Sequence, residues 1–164
     1  MNFTLIICTY NRRKAIEILM NSVVTQSVYP NQIIIVDGSL NQETKTFFET
    51  TNFKNLDYFL IDDSNRGLTK QRNFGISKVN ASSEIICFLD DDTILDNNYF
   101  SEIIQTYQKF PDAFGVGGYI TNEVNWEKKS IDFKENSKYF SYDGFHRMED
   151  KRFVLRKTLG LDSD

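Results

Sequence analysis

Three consecutive aspartates follow a short apolar run, and this feature most constrains how the chain can fold. Ile85 to Leu89 has the composition of a strand buried on both faces, and the triplet Asp90 to Asp92 follows directly. Two like charges about 4 Å apart repel by about 4 kcal/mol at the effective dielectric of a protein surface. Positive charge is therefore expected here. Adjacent carboxylates favour Mg²⁺ or Mn²⁺ over zinc, so one interpretation is a divalent-metal site. The other is a solvated acidic turn that caps the helix starting near Asn97.

The rest of the chain alternates between apolar runs and amphipathic segments. Apolar, β-branched runs predict further strands at Phe3–Thr9, Gln32–Val36 and Leu56–Ile61. Helices are predicted between them, at 12–26 with Asn11 as the N-cap, at 43–51 and at 68–79. A further helix is predicted after Asn97, its N-cap, and ends before Pro111. Phe114 to Thr121 predicts a fifth strand, whose glycines suggest close approach of a backbone or ligand. The alternation predicts an α/β fold with a mostly parallel sheet flanked by helices.

The chain has 164 residues, enough for a domain with a substantial core. We predict an α/β domain over residues 1–121. Residues 122–164 are predicted to form an irregular tail, with one strand near Arg152–Leu155. Aromatic residues in that tail suit either further sequence or a second copy of the chain, that is, a homodimer.

Composition excludes several classes of protein. A net charge of −4 gives no electrostatic reason to expect a nucleic-acid partner. Cys8 and Cys87 lie in apolar runs and are interpreted as reduced core thiols, with a disulfide between them as the weaker alternative. No run approaches the roughly 18 apolar residues of a membrane span, and no signal peptide is recognised, so we predict a cytoplasmic protein.

Polar side chains end every predicted strand. In chain order they are Thr9 and Tyr10, then Asp37, then Asp62 and Asp63, and finally the aspartate triplet. The carboxyl ends of strands in an open α/β sheet share one edge, where ligands bind. Lys70 and Arg72 can bring positive charge there. Together with a divalent ion, this set suits a diphosphate, which leaves Asp37 to accept hydrogen bonds from a ribose or base. Asp62 and Asp63 are interpreted as turn residues.

Other phosphate-handling folds fit the spacing poorly. The G-x-G-x-x-G fingerprint is absent after the first strand, and no Walker A sequence occurs. A DxDxT phosphatase would carry its acids on the first strand, and a receiver domain would carry its phospho-accepting aspartate later than its acidic pair.

Four segments in order resemble family 2 nucleotide-sugar glycosyltransferases of the GT-A, Rossmann-like fold. They are TLIICTYNR at 4–12, IIIVDGS at 33–39, NRGLTKQRNFG at 65–75 and FLDDD at 88–92, with VGGYI at 116–120 as a weak extension. The resemblance covers about the first 95 residues, and it is specific for the family but not for the sugar.

The resemblance implies that residues 1–121 are a nucleotide-sugar-binding α/β domain and that residues 122–164 begin the acceptor side. It also implies roles for individual residues. It implies that Thr9, with Tyr10 beside it, lines the nucleoside pocket and that Asp37 contacts the uracil or its ribose. Arg72 corresponds to a basic residue near the base and diphosphate. The first and third acids of the triplet, Asp90 and Asp92, correspond to the DxD pair that meets the ribose and the metal.

The middle acid, Asp91, is counted with the nucleotide-binding residues, although its position varies within the family. The family more often has two consecutive acids at the end of this strand, in the form VDDGS, whereas this chain has Asp37 alone. This difference weakens the expectation that the base is uracil.

The implied activity is metal-dependent, inverting sugar transfer from a UDP-sugar to a saccharide or lipid-linked acceptor, with Mn²⁺ or Mg²⁺. It would take place in the cytoplasm, at the inner membrane face if the acceptor is lipid-linked. Asp162 and Asp164 do not match the context of the family's general base, so the acceptor half is expected to be truncated. The alternative function is a non-catalytic nucleotide-sugar-binding fragment or interaction module.

Overall fold

The computed structural model describes residues 1–118 and two short strands at 141–142 and 145–146. Strands β1 (Phe3–Thr9), β2 (Gln32–Asp37), β3 (Leu56–Leu60) and β4 (Ile85–Asp90) form one sheet. Its order is β3-β2-β1-β4, and all three pairings are parallel. Among these four strands, β1 and β2 are central, which agrees with their almost uninterrupted burial.

Four helices connect or follow the strands. They are α1 (Arg13–Val24), α2 (Glu43–Thr50), α3 (Leu68–Ile76) and α4 (Tyr99–Lys109). The apolar positions of α1 recur every three or four residues, so Ile16, Leu19, Met20 and Val23 are buried together. The predicted alternation of strand and helix is therefore confirmed.

The sheet is covered on both faces. Side chains of α1, α2 and α4 form the larger core cluster with one face of the strands, including Leu5 and Ile7. Ile6, Ile34 and Val36 point the other way, where Phe74 of α3 packs against them. Both faces of β1 and β2 are thereby removed from water.

The prediction that β4 is buried on both faces is wrong for the described residues. Only Ile85 and Leu89 of this strand are buried, whereas Ile86 and Phe88 are 40% and 38% exposed. The reason is position: within the described sheet, β4 is the edge strand and pairs with β1 alone. A five-residue apolar run does not by itself distinguish an edge strand from a central one.

Both predicted N-caps are also wrong. The N-cap of α1 is Arg12, and Asn11 instead has a positive φ of 53° and accepts a hydrogen bond from Leu40 N. The N-cap of α4 is Asn98, one residue after Asn97. Asparagine tolerates the left-handed region, so the same residue type serves a turn as readily as a cap.

The fifth strand is absent over residues 114–118, and the remainder of that prediction lies outside the described residues. A Cβ at Gly118 would lie 2.5 Å from Cε2 of Tyr99, so what approaches this glycine closely is a side chain of α4.

The chain divides into two compact units, Met1–Tyr119 and Ile120–Asp164. In the second, β5 (Ser141–Tyr142) and β6 (Phe145–His146) pair antiparallel, which the sequence did not predict. The predicted strand near Arg152 lies outside the described residues, as do Asp162 and Asp164. The assignment of functions on either side of residue 121 stays a prediction.

Two predictions from composition can be compared directly with the described residues. Cys8 and Cys87 are free thiols, as predicted, and burial raises the pKa of each to about 11. Across the part of the chain that the structure describes, no helix has both the length and the apolar character needed to cross a membrane.

We expect Gly75→Ala to destabilise the fold. A Cβ at this position would lie 2.7 Å from Cγ2 of Ile6, so α3 would have to move away from the sheet. Overpacking of this kind costs about 1–3 kcal/mol, offset by about 1 kcal/mol of better helix propensity. Urea denaturation should therefore show a net loss of up to about 2 kcal/mol. Asn73→Ala, on the exposed side of the same helix, should leave the free energy of unfolding within about 0.5 kcal/mol.

Candidate functional site

The carboxyl ends of the parallel strands bring the predicted polar residues to one edge of the sheet. Thr9 is in register with Asp37 across β1 and β2, and Cys8 is in register with Asp90 across β1 and β4. This edge is where α/β sheets of this type bind ligands. The gathering of the predicted residues is therefore a property of the topology.

The three aspartates have unequal environments. Asp90 and Asp92 have side chains that are 68% and 55% exposed, whereas the side chain of Asp91 is only 6% exposed. Burial raises the pKa of Asp91, and hydrogen bonding to Thr9 and the charge of Arg12 act in the opposite direction. The middle acid therefore faces the protein, and the two flanking acids face solvent.

Asp91 has a partner on each carboxylate oxygen. The Thr9 hydroxyl donates to Oδ2 at 2.7 Å, and Nη1 of Arg12 donates to Oδ1 at 2.7 Å. Thr9 itself is 2% exposed, so its hydroxyl lies under the site surface in this structure. The predicted role of Thr9 in lining a nucleoside pocket stays a prediction. What its side chain does here is hold Asp91 in place.

Two arginines supply the positive charge that the triplet requires. Arg72 of α3 donates from Nη2 to Oδ1 of Asp90 at 3.1 Å, and its guanidinium carbon lies 5.6 Å from the ring centroid of Phe88. Arg12 donates from Nη2 to Oδ2 of Asp92 at 2.9 Å, and this hydrogen bond raises the pKa of Arg12. The Nζ of Lys70 donates to the carbonyl of Ser64, in the loop that follows β3 at the same edge, so its contribution of positive charge to the site stays a prediction.

Arg12 was missed by the sequence reasoning. Its position three residues beyond β1, directly before α1, was the available signal. It was interpreted as the first residue of a helix, where an arginine is ordinarily a solvated surface charge.

Asp37 is fully buried, and both of its carboxylate oxygens accept hydrogen bonds. Oδ1 accepts from the backbone of Ser39 at 2.7 Å, and Oδ2 accepts from the hydroxyl of Tyr58 at 2.6 Å. Burial, followed by this hydrogen bond, raises the pKa of Tyr58. A contact between Asp37 and a base, as predicted, would have to use a remaining lone pair. Tyr10, by contrast, is 43% exposed at the mouth of the edge.

Gln71 ties the strand ends together and was also missed. Its Nε2 donates to the carbonyls of Thr9 at 3.0 Å and Val36 at 2.9 Å, and the residue is 4% exposed. Since Arg72 is the next residue, this amide fixes the helix that carries the guanidinium. A glutamine on a helix is usually solvated, so its type alone gave no signal.

The loop after β3 behaves as the sequence indicated. Oδ1 of Asp62 accepts hydrogen bonds from the backbone amides of Ser64 and Asn65, which makes Asp62 a turn residue. Hydrogen bonding, first from the Ser64 hydroxyl, lowers the pKa of Asp62. Asp62 therefore serves as a control position for the triplet.

The donor set suits a divalent ion that arrives with a phosphate. Among the described residues, no group of three or more His, Cys, Asp or Glu side chains is arranged to hold an ion by itself. Mg²⁺ is usually bound by one or two carboxylates together with substrate phosphates and water. The exposed carboxylates of Asp90 and Asp92 meet that requirement, since both offer hard oxygen ligands toward solvent.

Comparison with known proteins identifies the family of the chain. A family model described as glycosyl transferase family 2 matches residues 4–159. The chain is 25% identical over 138 residues to the glucosyl-dolichyl phosphate glucuronosyltransferase of Haloferax volcanii. The matched stretch covers 81% of this chain and 42% of that protein. It is 34% identical over 97 residues to the O-antigen chain rhamnosyltransferase RfbN of Salmonella typhimurium, covering 58% and 29% respectively. The chain thus spans less than half the length of these curated relatives.

Solved structures support the fold. TarS 1–349 of S. aureus in complex with UDP-GlcNAc is similar with a TM-score of 0.59 at 22% identity, over 75% of this chain and 39% of that chain. The mannosyltransferase PcManGT from Pyrobaculum calidifontis, in complex with GDP-Man and Mn²⁺, is similar with a TM-score of 0.53 at 22% identity, over 65% and 32%. The predicted GT-A, Rossmann-like α/β fold is confirmed by these likenesses.

We expect Thr9→Val to lower stability in a pH-dependent way. The change removes a donor from a buried carboxylate, which typically costs about 1–3 kcal/mol. It also raises the pKa of Asp91 further, so the folded state binds a proton more tightly and the loss should shrink as the pH falls. Urea denaturation between neutral and acid pH measures both effects. Thr46→Val, at an exposed position of α2, should show neither.

Proposed function

The chain belongs to glycosyl transferase family 2, and from that premise we propose that it is the donor-binding part of a metal-dependent glycosyltransferase. The observation that carries the proposal is the pairing of the aspartate triplet with Arg12 and Arg72 at the carboxyl edge of the parallel sheet. Two guanidinium groups beside two exposed carboxylates form a surface that suits a diphosphate and its counter-ion.

The donor in this proposal is a nucleotide-sugar, with UDP as the first choice. The complexes of TarS with UDP and UDP-GlcNAc support a UDP-sugar, and the GDP-Man complex of PcManGT keeps the guanine nucleotide as the main competitor. Tyr10 offers an exposed ring against which a base can stack. Asp37 is fully buried here, so it would accept from the base or ribose only after Tyr58 or the loop at Ser39 moves to give access. Arg72 would bind the diphosphate.

Asp90 and Asp92 would hold the Mn²⁺ or Mg²⁺ ion, which supplies a positive charge that stabilises the departing diphosphate. Arg72 would add a charge-assisted hydrogen bond to the same group. Asp91 would stay on the protein side, where it positions Thr9 and Arg12. In this proposal, the described residues bind and orient the donor and stabilise its leaving group.

The acceptor is proposed to be a saccharide or a lipid-linked saccharide. The names of the curated relatives support this range, since they include a glucosyl-dolichyl phosphate glucuronosyltransferase and a poly-β-1,6-N-acetyl-D-glucosamine synthase. Inversion at the sugar carbon would need a general base acting on the acceptor hydroxyl, and we assign none among the described residues. The proposed reaction takes place in the cytoplasm, which supplies the donor. With a lipid-linked acceptor, it takes place at the inner face of a membrane.

The proposal predicts that nucleotide binding depends on a divalent ion. UDP with Mn²⁺ should stabilise the chain by about 2.7 kcal/mol at a hundredfold excess over the dissociation constant. Thermal shift measurements with UDP, dTDP, GDP and CDP, each with Mn²⁺ and with EDTA, test the ion and the base together. Equal shifts in EDTA would refute the role of the metal, and the absence of any shift would refute the donor site.

Asp92→Asn should abolish metal-dependent UDP binding while the chain remains folded. The amide keeps the size of the carboxylate but removes the charge that a hard cation requires. Isothermal calorimetry with UDP and Mn²⁺ measures the loss. Asp62→Asn is the matched control, because Asp62 serves a turn after β3, and it should bind UDP like the unmodified chain. A larger effect at Asp62 would mean that the ion lies at the end of another strand.

A further inference from the structure

Arg12 joins two carboxylates that differ in exposure. Its Nη1 contacts Oδ1 of Asp91 at 2.7 Å, and its Nη2 contacts Oδ2 of Asp92 at 2.9 Å. The side chain of Asp91 is 6% exposed, that of Asp92 is 55% exposed, and that of Arg12 itself is 51% exposed. One end of the guanidinium therefore lies against the protein interior, and the other end lies at the solvent surface.

The contact with Asp91 is the one that the fold keeps. Removing a partner from a buried charge is much more costly than removing one from an exposed charge. The opposite oxygen of Asp91 is held by the Thr9 hydroxyl, so the carboxylate cannot turn toward solvent without losing that bond as well.

The backbone also directs Arg12 to this position. Asn11, with a φ of 53°, donates its amide hydrogen to Oγ of Ser39 and accepts from Leu40 N, which fixes the turn between β1 and α1.

The contact with Asp92 is the one that can be exchanged. Exposed ion pairs contribute little because water screens them and both side chains lose conformational freedom. A divalent ion needs the same carboxylate, and a guanidinium beside it repels the ion. Arg12 and a metal ion therefore compete for the carboxylate of Asp92. A phosphate placed between the two positive charges would remove their repulsion.

We propose that Arg12 is a diphosphate-binding residue that exchanges partners when the donor binds. Without a donor it bridges Asp91 and Asp92. When a nucleoside diphosphate enters with a divalent ion, Arg12 keeps Asp91, releases Asp92 to the ion, and donates Nη2 to a phosphate oxygen. This inference rests on the proposed function, because both require a diphosphate at this edge of the sheet.

The exchange has opposite consequences for the ion alone and for the ion with nucleotide. Removing the guanidinium removes a competitor for Asp92, so Mn²⁺ alone should bind more tightly. The same change removes a charge-assisted hydrogen bond to the diphosphate, so UDP with Mn²⁺ should bind less tightly. A residue that only supported the fold would not move the two affinities in opposite directions.

The test compares the unmodified chain with Arg12→Met. Titration of Mn²⁺ alone, followed by electron paramagnetic resonance, should show binding tightened by about thirtyfold, the scale in water for removing one positive charge from about 4 Å away from a divalent ion. Calorimetry of UDP in saturating Mn²⁺ should show binding weakened by about 10–100-fold, the range for a hydrogen bond to a charged group. Arg13→Met is the matched control, because Arg13 pairs with Glu17 and covers Phe47, and both affinities should stay unchanged.

Arg12→Lys keeps the experiment decisive if Arg12→Met does not fold. Lysine keeps one charge for Asp91 but lacks the planar fork that reaches a second group. It should therefore bind Mn²⁺ alone more tightly and UDP with Mn²⁺ less tightly than the unmodified chain, by smaller factors than Arg12→Met. Equal affinities for UDP in the folded variants and the unmodified chain would overturn the role of Arg12 and leave the donor site standing. Failure of the unmodified chain to bind UDP would overturn the proposed function and this inference together.

Discussion

The candidate site depends on how one buried carboxylate is compensated. Asp91 lies directly after β4 with almost no exposure, and an unpaired charge in such a place would cost several kcal/mol. Thr9 and Arg12 supply the compensation from the end of β1 and the start of α1. Thr9 and Arg12 are distant in sequence from Asp91, so these contacts form only when the sheet is folded. The fold of the sheet therefore sets the position of the exposed acids Asp90 and Asp92 on either side of Asp91.

Tight packing on the other face of the sheet completes this arrangement. Gly75 lets α3 approach β1 closely, and at that distance the amide of Gln71 reaches two strand carbonyls. Arg72 then lies over Phe88 and beside Asp90. Three residues of the segment NRGLTKQRNFG thus have different roles on α3. Gly75 packs against the core, Gln71 binds the strand ends, and Arg72 reaches the surface beside Asp90.

Much of this could be predicted from the sequence, and the failures have physical causes. Apolar runs identified the four strands and amphipathic segments the four helices, although the run at 114–118 did not form a fifth strand. The rule for parallel sheets placed Thr9, Asp37 and Asp90 at one edge. The edge position of β4 could not be predicted, since burial of a strand depends on which strands pair with it. Arg12 and Gln71 were missed because their roles come from partners about 60–80 residues away in the chain, at Asp91 and Thr9.

The Gln71 clamp has a consequence for motion. Nε2 of Gln71 donates to the carbonyls of Thr9 and Val36 and so fixes the distance between the ends of β1 and β2. Arg72 lies on the same turn of α3. A displacement of α3 would break both bonds inside a region of low dielectric, where an unmade hydrogen bond is costly. The strand ends and Arg72 should therefore move as one rigid piece on the timescales of loop motion, and adaptation to different donors should fall to exposed groups such as Tyr10 and Arg12.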